Sequence, residues 1–352
     1  MLNLKKFKPN IYTGSEYKLN DIRLSLSENI LGYSPKVIKA VSEELKYINL
    51  YPDAEYRDLK EAIAIINDVD YDSVYIGNGE DELILSLALL LNKDRPNIIS
   101  FKNSFYGYGY AAHIAQKKFV EIPYCLTSAD DICHAIDNQT SIVFVCDPYN
   151  PLGTILDSNY LTQIIEKAFS SGAYVVLDEA YIEFSDQNAV HQQLREQYPN
   201  VITLKTFSKA YGLAGLRCGY ILAKPEICVE VSGIRYMLPY NVNRLAVAAA
   251  LASIQDQDFV RDQIKRIIDI REWFISELKH IGVFCYPSQT NFVTIRISNS
   301  QKFTQLLYKD CHILTRDLFE MGYVDHVRIS IGEKQHMKLV LSFLQKYYYS
   351  EN

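Results

Sequence analysis

The sequence predicts an α/β protein that has a mainly parallel central sheet flanked by helices and a second, smaller α+β domain. Two observations lead to this prediction. Between about residues 72 and 222, short apolar runs alternate with amphipathic stretches, which is the pattern of strands joined by crossover helices. After residue 243 the order changes to a long helical stretch, further strand-like runs and a closing helix, which indicates a separate unit.

Short apolar runs define the strands of the predicted sheet. They are Val74–Ile76, Asn97–Phe101, Phe119–Ile122, Ile142–Cys146, Tyr174–Leu177, Val201–Leu204 and Gly219–Leu222. The segment Tyr160–Ser170 is typical of the helices between them, because its apolar residues recur at helical spacing.

The second unit is predicted from a helical stretch over Asn243–His280, strands at Asn291–Ile297 and His326–Ile331, and a helix over Lys334–Tyr349. We expect the N-terminal segment to join this smaller domain. The predicted division is therefore 1–45 for the N-terminal segment, 46–242 for the large domain and 243–352 for the linking helix and the small domain.

Composition narrows the classes of function. With 352 residues, 48% of them hydrophobic and 22% charged, the chain resembles an ordinary globular protein. A formal net charge of -6 without a Lys- and Arg-rich stretch argues against nucleic acid as a partner. The longest apolar run, Leu83–Leu91, is too short to cross a bilayer, so we expect no membrane association and a cytoplasmic location. Seven scattered cysteines without a CxxC pattern predict free thiols, and no histidine pattern predicts a metal site.

The segment from Thr206 to Tyr220 carries the strongest chemical signal. It directly follows a predicted strand and contains Lys209, whose amine can form an imine with an aldehyde if its surroundings lower its pKa. The hydroxyls of Thr206 and Ser208 and the guanidinium of Arg217 are groups that hold a phosphate dianion.

Two further predicted strands deliver polar residues to the same sheet edge. Asp178 ends a hydrophobic strand, where an acid can pair with a protonated pyridine nitrogen. Tyr181 could then hydrogen-bond a phenolic oxygen of the same ring. The alternative role for Asp178 is that of a helix N-cap. Asn150 follows another strand through a Pro- and Gly-containing turn and offers a neutral amide.

Two more segments fit the same site less specifically. Gly77-Asn-Gly79 joins a strand to a helix that begins near Glu80, a setting in which backbone N–H groups bind phosphate. Ser104–Tyr110 supplies rings that could stack on a planar cofactor or pack in the core. Convergence of five sheet-edge segments on one aldehyde phosphate is hard to ascribe to packing alone.

At this point the sequence resembles the fold-type I aminotransferases that depend on pyridoxal 5′-phosphate (PLP), and within them the histidinol-phosphate aminotransferase group. The T-x-S-K-(x7)-R and D-E-A-Y motifs carry the wider resemblance. The resemblance to the histidinol-phosphate aminotransferase group lies in segments that run through nearly the whole chain, namely Ser27–Gly32, Tyr51–Asp53, Gly77–Glu82, Leu213–Tyr220, Pro239–Asn243 and Ser288–Phe292. The resemblance implies the PLP-dependent transferase fold of type I and a transaminase activity.

The resemblance also implies roles for single residues. Lys209 would be the Schiff-base lysine and proton shuttle, Asp178 would meet the pyridine nitrogen, and Tyr108 would stack on the ring. Tyr181 and Asn150 would bond the ring oxygen O3′. The phosphate would be bound by Thr206, Ser208, Arg217 and the backbone near Gly79, Glu80 and Asp81. Tyr51 would reach the phosphate of a neighbouring subunit's cofactor, which implies a homodimer with shared active sites.

The resemblance further implies that the substrate is bound by Arg328, Arg316, Asn291 and Tyr17. Paired arginines suit either a carboxylate or a phosphate, so they do not name the substrate by themselves. Three segments depart from the family pattern: Ser27–Gly32 in place of N-E-N-P-L-G, Asp147–Gly153 in place of N-P-N-N-P-T-G, and Asn103-Ser104 in place of Pro-Thr. All three border the substrate side, so the specificity could differ from that of histidinol-phosphate aminotransferases.

Two alternatives to transamination stay open. One is decarboxylation in the manner of threonine-phosphate decarboxylase, against which Glu28 argues because that relative tends to have an apolar residue there. The other is a non-catalytic PLP-binding scaffold, against which the presence of both Lys209 and Asp178 argues.

Overall fold

A seven-stranded sheet lies at the centre of the computed structural model, which describes Lys18, residues 20–126 and residues 128–351. The elements in chain order are β1 (Ile22–Arg23), α1 (Pro35–Glu44), α2 (Arg57–Asn67), β2 (Val74–Gly77), α3 (Gly79–Leu90), β3 (Asn97–Phe101), α4 (Gly107–Ile114), β4 (Lys118–Ile122), α5 (Asp130–Ala135), β5 (Thr140–Cys146), α6 (Ser158–Ser171), β6 (Tyr174–Asp178), α7 (Asn188–Gln197), β7 (Val201–Thr206), β8 (Gly219–Leu222), α8 (Pro225–Ser232), α9 (Arg244–Ile254), α10 (Gln257–His280), β9 (Phe292–Arg296), α11 (Ser300–Cys311), β10 (Ile313–Leu314), β11 (Arg316–Asp317), β12 (His326–Ser330) and α12 (Lys334–Glu351).

The order of strands in this sheet is β2-β8-β7-β6-β5-β3-β4. Strand β8 runs antiparallel to both β2 and β7, and the other neighbouring strands are parallel. All seven predicted strands are present, with their ends displaced by two residues at most. The predicted α/β class and the mainly parallel sheet are therefore confirmed.

The two faces of the sheet are both buried. Along β5, Ile142 and Phe144 pack in one hydrophobic cluster with residues of α3 and α4, whereas Val143 and Val145 pack in another with residues of α6. Every residue of β5 is buried. Burial on both faces explains why the central strands are continuous apolar runs and leaves their carboxyl ends as the place for polar chemistry.

The carboxyl ends of the three central strands lie level with one another. In the pairing register, Cys146 of β5 lies opposite Asp178 of β6, and Asp178 lies opposite Leu204 of β7. The residues that follow these positions therefore meet at one edge of the sheet, as the sequence predicted.

The predicted helix over Asn243–His280 is in fact two helices, α9 and α10. The Asn243 side chain caps α9 by accepting from the Ala246 N–H, and the chain leaves helical geometry at Asp256. The Asp256 carboxylate accepts a short hydrogen bond from the Ser34 hydroxyl and lies 2.8 Å from the Lys36 ammonium. These partners belong to the start of α1, which packs on α9, so a long-range contact determines where the helix breaks.

Two smaller sheets join distant parts of the chain. Strands β9, β12 and β11 form an antiparallel sheet in which Arg316 lies directly opposite Arg328. Strand β1 pairs in parallel with β10, so the start of the described chain packs with its last third. The predicted division at residues 45 and 242 stays a prediction.

Within the described ranges, none of the helices combines the length and the apolar character that crossing a bilayer requires. The same part of the chain holds no cluster of three or more His, Cys, Asp or Glu side chains suited to a metal ion. Cys146, Cys218 and Cys228 are free thiols in the core.

Candidate active site

Lys209 follows β7 and lines a cavity of about 420 Å³ at the carboxyl edge of the sheet. Its ammonium nitrogen donates to the Leu26 carbonyl oxygen at 3.0 Å. Removal from bulk water lowers the pKa of Lys209 to about 8, and the nearby cations Arg328 and Arg217 act in the same direction against Glu80 and Glu28. The lowered pKa raises the share of neutral amine near neutral pH, and the neutral amine is the form that attacks an aldehyde.

Most of the predicted site residues surround this one cavity. Those that line it are Lys209, Asp178, Tyr181, Asn150, Glu80, Asp81, Thr206, Ser208, Arg217 and Arg328. The structure thus brings together groups from five separate segments of the sequence.

Asp178 ends β6 on the floor of the cavity and is almost fully buried. One carboxylate oxygen accepts from the Ala180 N–H at 3.1 Å, and the other accepts from the Tyr108 hydroxyl at 2.5 Å. Burial raises the pKa of Asp178 to about 6, while these two hydrogen bonds oppose the rise. An acid in this position is ionised at neutral pH and can hold a protonated ring nitrogen.

The structure differs from the prediction at Tyr108. Its ring is fully buried and stacks on Phe144 of β5, with the ring centroids 4.6 Å apart, and Tyr108 is not among the residues that line the cavity. Phe105 and Tyr106, at the start of α4, line the cavity instead. The reason is that Tyr108 lies on the inner side of α4, where its hydroxyl reaches Asp178. The ring available for stacking on a planar group is therefore Phe105 or Tyr106.

A cluster of donors lies at the other end of the cavity. The Thr206 and Ser208 hydroxyl oxygens are 3.0 Å apart, and the Arg217 guanidinium donates to the Ser208 hydroxyl oxygen at 3.4 Å. The same guanidinium pairs with Asp81 in the first turn of α3, at 2.7 Å. Hydroxyls, a guanidinium and the N-terminus of a helix form a donor set that suits a phosphate dianion.

Gly79 allows the arginine to approach α3 so closely. Its φ is +76°, and a Cβ at this position would lie 2.7 Å from an Arg217 Nη atom. Next to it, burial and the nearby Asp178 raise the pKa of Glu80 well above its ordinary value. A protonated Glu80 would not repel a dianion beside it.

Asn150 and Arg328 meet across the cavity. The Asn150 side-chain oxygen accepts from the Arg328 guanidinium at 2.7 Å, and the same guanidinium donates to the Ser25 carbonyl oxygen at 3.0 Å. Tyr181 lies on the Lys209 side, with its ring centroid 5.7 Å from the lysine nitrogen.

The other predicted residues that the structure describes lie outside the cavity lining. Asn291 is buried and donates to the Ser27 carbonyl oxygen at 2.9 Å, and Arg316 lies beside Arg328 on the neighbouring strand. Tyr51 is exposed and stacks on Tyr240. Tyr17 falls outside the described residues.

The sequence reasoning did not assign several residues that the structure places at the cavity. Leu26, Phe105, Tyr106 and Cys146 line it, and so does Glu28, which pairs with Arg23 at 2.7 Å. Phe105 precedes the first residue of α4, Gly107, whereas Tyr108 lies inside the helix, so helical spacing gave no signal to separate the ring that faces the cavity from the ring that does not.

The chemistry of these groups fits PLP. A buried amine with a lowered pKa suits its aldehyde, a buried carboxylate suits its ring nitrogen, and the donors around Ser208 suit its phosphate.

Comparison with known proteins supports the same conclusion. A sequence model of the family described as aminotransferase class I and II matches residues 20–344. A histidinol-phosphate aminotransferase of Geobacillus sp. (strain WCH70) is 35% identical over 336 residues, which cover 94% of this chain and 91% of that protein.

Solved structures resemble this fold as well. The histidinol-phosphate aminotransferase of Sinorhizobium meliloti, in complex with pyridoxal 5′-phosphate, has 25% identity and a TM-score of 0.83, covering 94% of this chain and 92% of that one. L-threonine-O-3-phosphate decarboxylase of Porphyromonas gingivalis has 23% identity and a TM-score of 0.80, covering 93% and 99%, a likeness that shows the fold alone. The predicted PLP-dependent transferase fold of type I is confirmed. The chain belongs to the class I and II aminotransferases and is a PLP-dependent enzyme that transfers an amino group between an amino compound and a 2-oxo acid.

Proposed function

We propose that this aminotransferase acts on histidinol phosphate, converting it with 2-oxoglutarate into imidazole acetol phosphate and glutamate. The pair Arg316 and Arg328, which lie directly opposite each other in the small antiparallel sheet, indicates an anionic substrate, and the named relatives select histidinol phosphate among such substrates. Relatives that bear the name histidinol-phosphate aminotransferase, at 31–35% identity, support the same substrate.

The arginine pair has a simple electrostatic meaning. Side chains directly opposite in an antiparallel pair lie on the same face, where two like charges repel unless an anion lies between them. Guanidinium groups bind phosphate and carboxylate through paired N–H donors. Histidinol phosphate offers a phosphate and 2-oxoglutarate offers carboxylates, so one pair of arginines would serve both half-reactions.

Lys209 is the residue proposed to move the proton. PLP, when bound, supplies an aldehyde that links to the amine and a ring that withdraws electrons from the substrate Cα. The free Lys209 amine would take a proton from the substrate Cα and return it at the cofactor C4′. Its lowered pKa, about 8, suits it to act as both base and acid near neutral pH.

The other side chains bind and orient. Asp178 would keep the ring nitrogen protonated, Asn150 and Tyr181 would bond the ring oxygen, and Phe105 would cover the ring. Thr206, Ser208, Arg217 and the N-terminus of α3 would bind the phosphate of the cofactor. These roles rest on the positions of the side chains around the cavity.

The test is a screen of amino donors against the absorbance of the enzyme-bound cofactor. We expect histidinol phosphate to change the spectrum at lower concentration than phenylalanine, tyrosine or phosphothreonine, and 2-oxoglutarate to restore it. Preference for another donor would contradict the proposed substrate. Release of carbon dioxide from phosphothreonine without a 2-oxo acid would favour a decarboxylase.

A separate measurement tests the cofactor lysine. Borohydride reduction followed by peptide mapping is expected to find PLP on Lys209 alone, and a Lys209→Ala variant is expected to retain none after reduction. Label on another lysine, such as the buried Lys205, would contradict the assignment.

We also propose a homodimer with shared active sites, in which Tyr51 reaches the partner's cofactor phosphate. The apolar surface formed by residues 45–51 and 236–240 supports it, since Tyr51, Tyr236 and Met237 are 78%, 92% and 80% exposed. A second copy of the chain is the occupant expected, because the resemblance implies that a tyrosine at this position crosses between subunits.

Free thiols in the core are typical of reducing compartments and support a cytoplasmic location.

A further inference from the structure

A buried group of charged side chains lies on the opposite side of the sheet edge from the cavity. His191 of α7 lies between two carboxylates, with Nδ1 3.1 Å from Glu179 and Nε2 3.0 Å from Asp147. Lys205 of β7 lies 3.2 Å from Glu179 and 3.4 Å from Glu183. His191, Glu179 and Asp147 are each about 1% exposed.

The carboxylates of this group are neighbours in sequence of the proposed cofactor residues. Glu179 follows Asp178, and Asp147 begins the turn that carries Asn150. Successive side chains of an extended chain point to opposite sides, so Asp178 faces the cavity and Glu179 faces α7. The backbone ties the two segments together, because the Asp147 N–H donates to the Asp178 carbonyl oxygen at 3.1 Å.

Both ring nitrogens of His191 face carboxylate oxygens, and this geometry favours the imidazolium. A neutral imidazole has one N–H donor, so its other nitrogen would direct a lone pair at a carboxylate. Burial lowers the pKa of His191, but the hydrogen bonds to Asp147 and Glu179 outweigh it and raise the pKa to about 9. Lys205, Glu183 and Arg195, which lies 3.5 Å from Thr203, complete the charged surroundings.

We propose that His191 is a positioning residue for the cofactor site, which bridges Asp147 and Glu179 and thereby sets the spacing between Asn150 and Asp178. The inference rests on the proposed roles of those two residues. His191 itself lies behind the sheet edge and touches neither substrate nor cofactor.

The test compares a His191→Gln variant with the wild type. Glutamine fills much of the same volume as histidine. Its side chain is neutral, however, and cannot donate hydrogen bonds in the two opposite directions in which Asp147 and Glu179 lie. We expect its dissociation constant for PLP to be about tenfold higher at pH 7, the size of effect seen when a residue that orients a metal ligand is lost. His134→Gln is the matched control, because His134 is exposed on α5 and its ring nitrogen contacts the Asp130 carbonyl oxygen of the same helix.

The dependence on pH separates positioning from general loss of stability. The imidazolium bridge is present below the ordinary pKa of histidine and is lost as the pH rises through about 9. The ratio of the variant's dissociation constant to that of the wild type should therefore fall from about ten toward one between pH 7 and pH 10. Because each ratio is taken at one pH, the titration of Lys209 affects both proteins alike.

A measurement on the wild type keeps the proposal testable if the variant does not fold. In wild-type protein labelled with ¹⁵N-histidine, two N–H protons of one buried imidazolium should persist at pH 8 and disappear as the pH rises through about 9. A neutral His191 ring at pH 8, or a ratio of one at pH 7, would overturn the inference. Failure of the wild type to bind PLP would overturn the proposed function as well.

Discussion

Asp178 is held at the floor of the cavity by two donors, the Tyr108 hydroxyl and the Ala180 N–H. Burial alone would favour the neutral acid, which could not balance a protonated ring nitrogen. Since Tyr108 is itself far from ionising, because burial raises its pKa well above the usual value, its hydroxyl always donates. The tyrosine therefore keeps the carboxylate charged in a dry site.

A Tyr108→Phe variant tests this relation. Loss of the donated hydrogen bond should raise the pKa of Asp178 above its present value of about 6. As pH falls, affinity of the apoenzyme for PLP should therefore decline at a higher pH than in the wild type. The measurement is the dissociation constant for PLP from pH 5 to pH 8.

Tyr198→Phe is the control, because the Tyr198 hydroxyl also donates to a carboxylate, that of Glu166, away from the cavity. Superimposable pH profiles of the wild type and Tyr108→Phe would show that the hydroxyl does not tune Asp178.

Phe105 is the subject of a second prediction. If its ring covers the cofactor, Phe105→Leu should weaken PLP binding by about 2- to 10-fold, the range that aromatic pairing energies of about 0.5–1.5 kcal/mol imply. Equilibrium titration of the apoenzyme at pH 8 measures it. An unchanged constant, together with a large loss in Tyr106→Leu, would assign the covering ring to Tyr106.

The residues of the site were predictable from sequence where a strand end determines the position. Asp178 is the last residue of β6, and Lys209 and Asn150 lie a few residues after β7 and β5. The strand pattern therefore predicted that all three lie at one edge of the sheet. The two rings Phe105 and Tyr108 were not separable in this way, since which ring faces the cavity depends on where α4 begins, at Gly107.

At the scale of elements, the start of α3 is the part of the fold that we propose binds phosphate through its backbone. The strand β2 stops at Gly77, the chain turns at Asn78 and Gly79, and the first helical turn carries Glu80, Asp81 and Glu82. Acidic residues in a first turn favour the helix through its dipole. Here one of them, Asp81, also pairs with Arg217, one of the residues proposed to bind the phosphate.

Gly79→Ala should damage this turn in two ways. A positive φ disfavours alanine by about 1–2 kcal/mol, and the added Cβ would displace the Arg217 guanidinium. We expect a lower free energy of unfolding in urea, by about that amount, and weaker binding of both PLP and inorganic phosphate. Gly233→Ala is the control, since nothing lies within 4 Å of a Cβ there. Equal effects of the two substitutions would contradict the role given to Gly79.

Elements whose limits depend on distant contacts could not be predicted from the sequence pattern. The break between α9 and α10 depends on Ser34 and Lys36, far away in sequence. Strands β1, β10 and β11 are two residues long, so they show no periodicity from which to predict them.

At the scale of the whole molecule, the proposed dimer makes one prediction. Tyr236→Asp should raise the dissociation constant of the dimer by about 30-fold, because loss of a central aromatic anchor costs about 2 kcal/mol or more. Light scattering after size exclusion would then show masses nearer to one chain, 40.4 kDa, than to two. Val324→Asp, an equally drastic change at another exposed apolar position, should leave the mass unaltered. A wild type that elutes as a monomer would refute the dimer.

Residues 24–27, which cover Lys209, are synthesised before the residues that hold them in place. The Leu24 carbonyl oxygen accepts from the Ser330 N–H, and Arg328 and Asn291 donate to the carbonyl oxygens of Ser25 and Ser27. On a ribosome, these anchors emerge long after the residues that they hold. A nascent chain can therefore carry Lys209 and Asp178 before the wall facing them exists, and an incomplete translation product would contain the amine without a closed cavity around it.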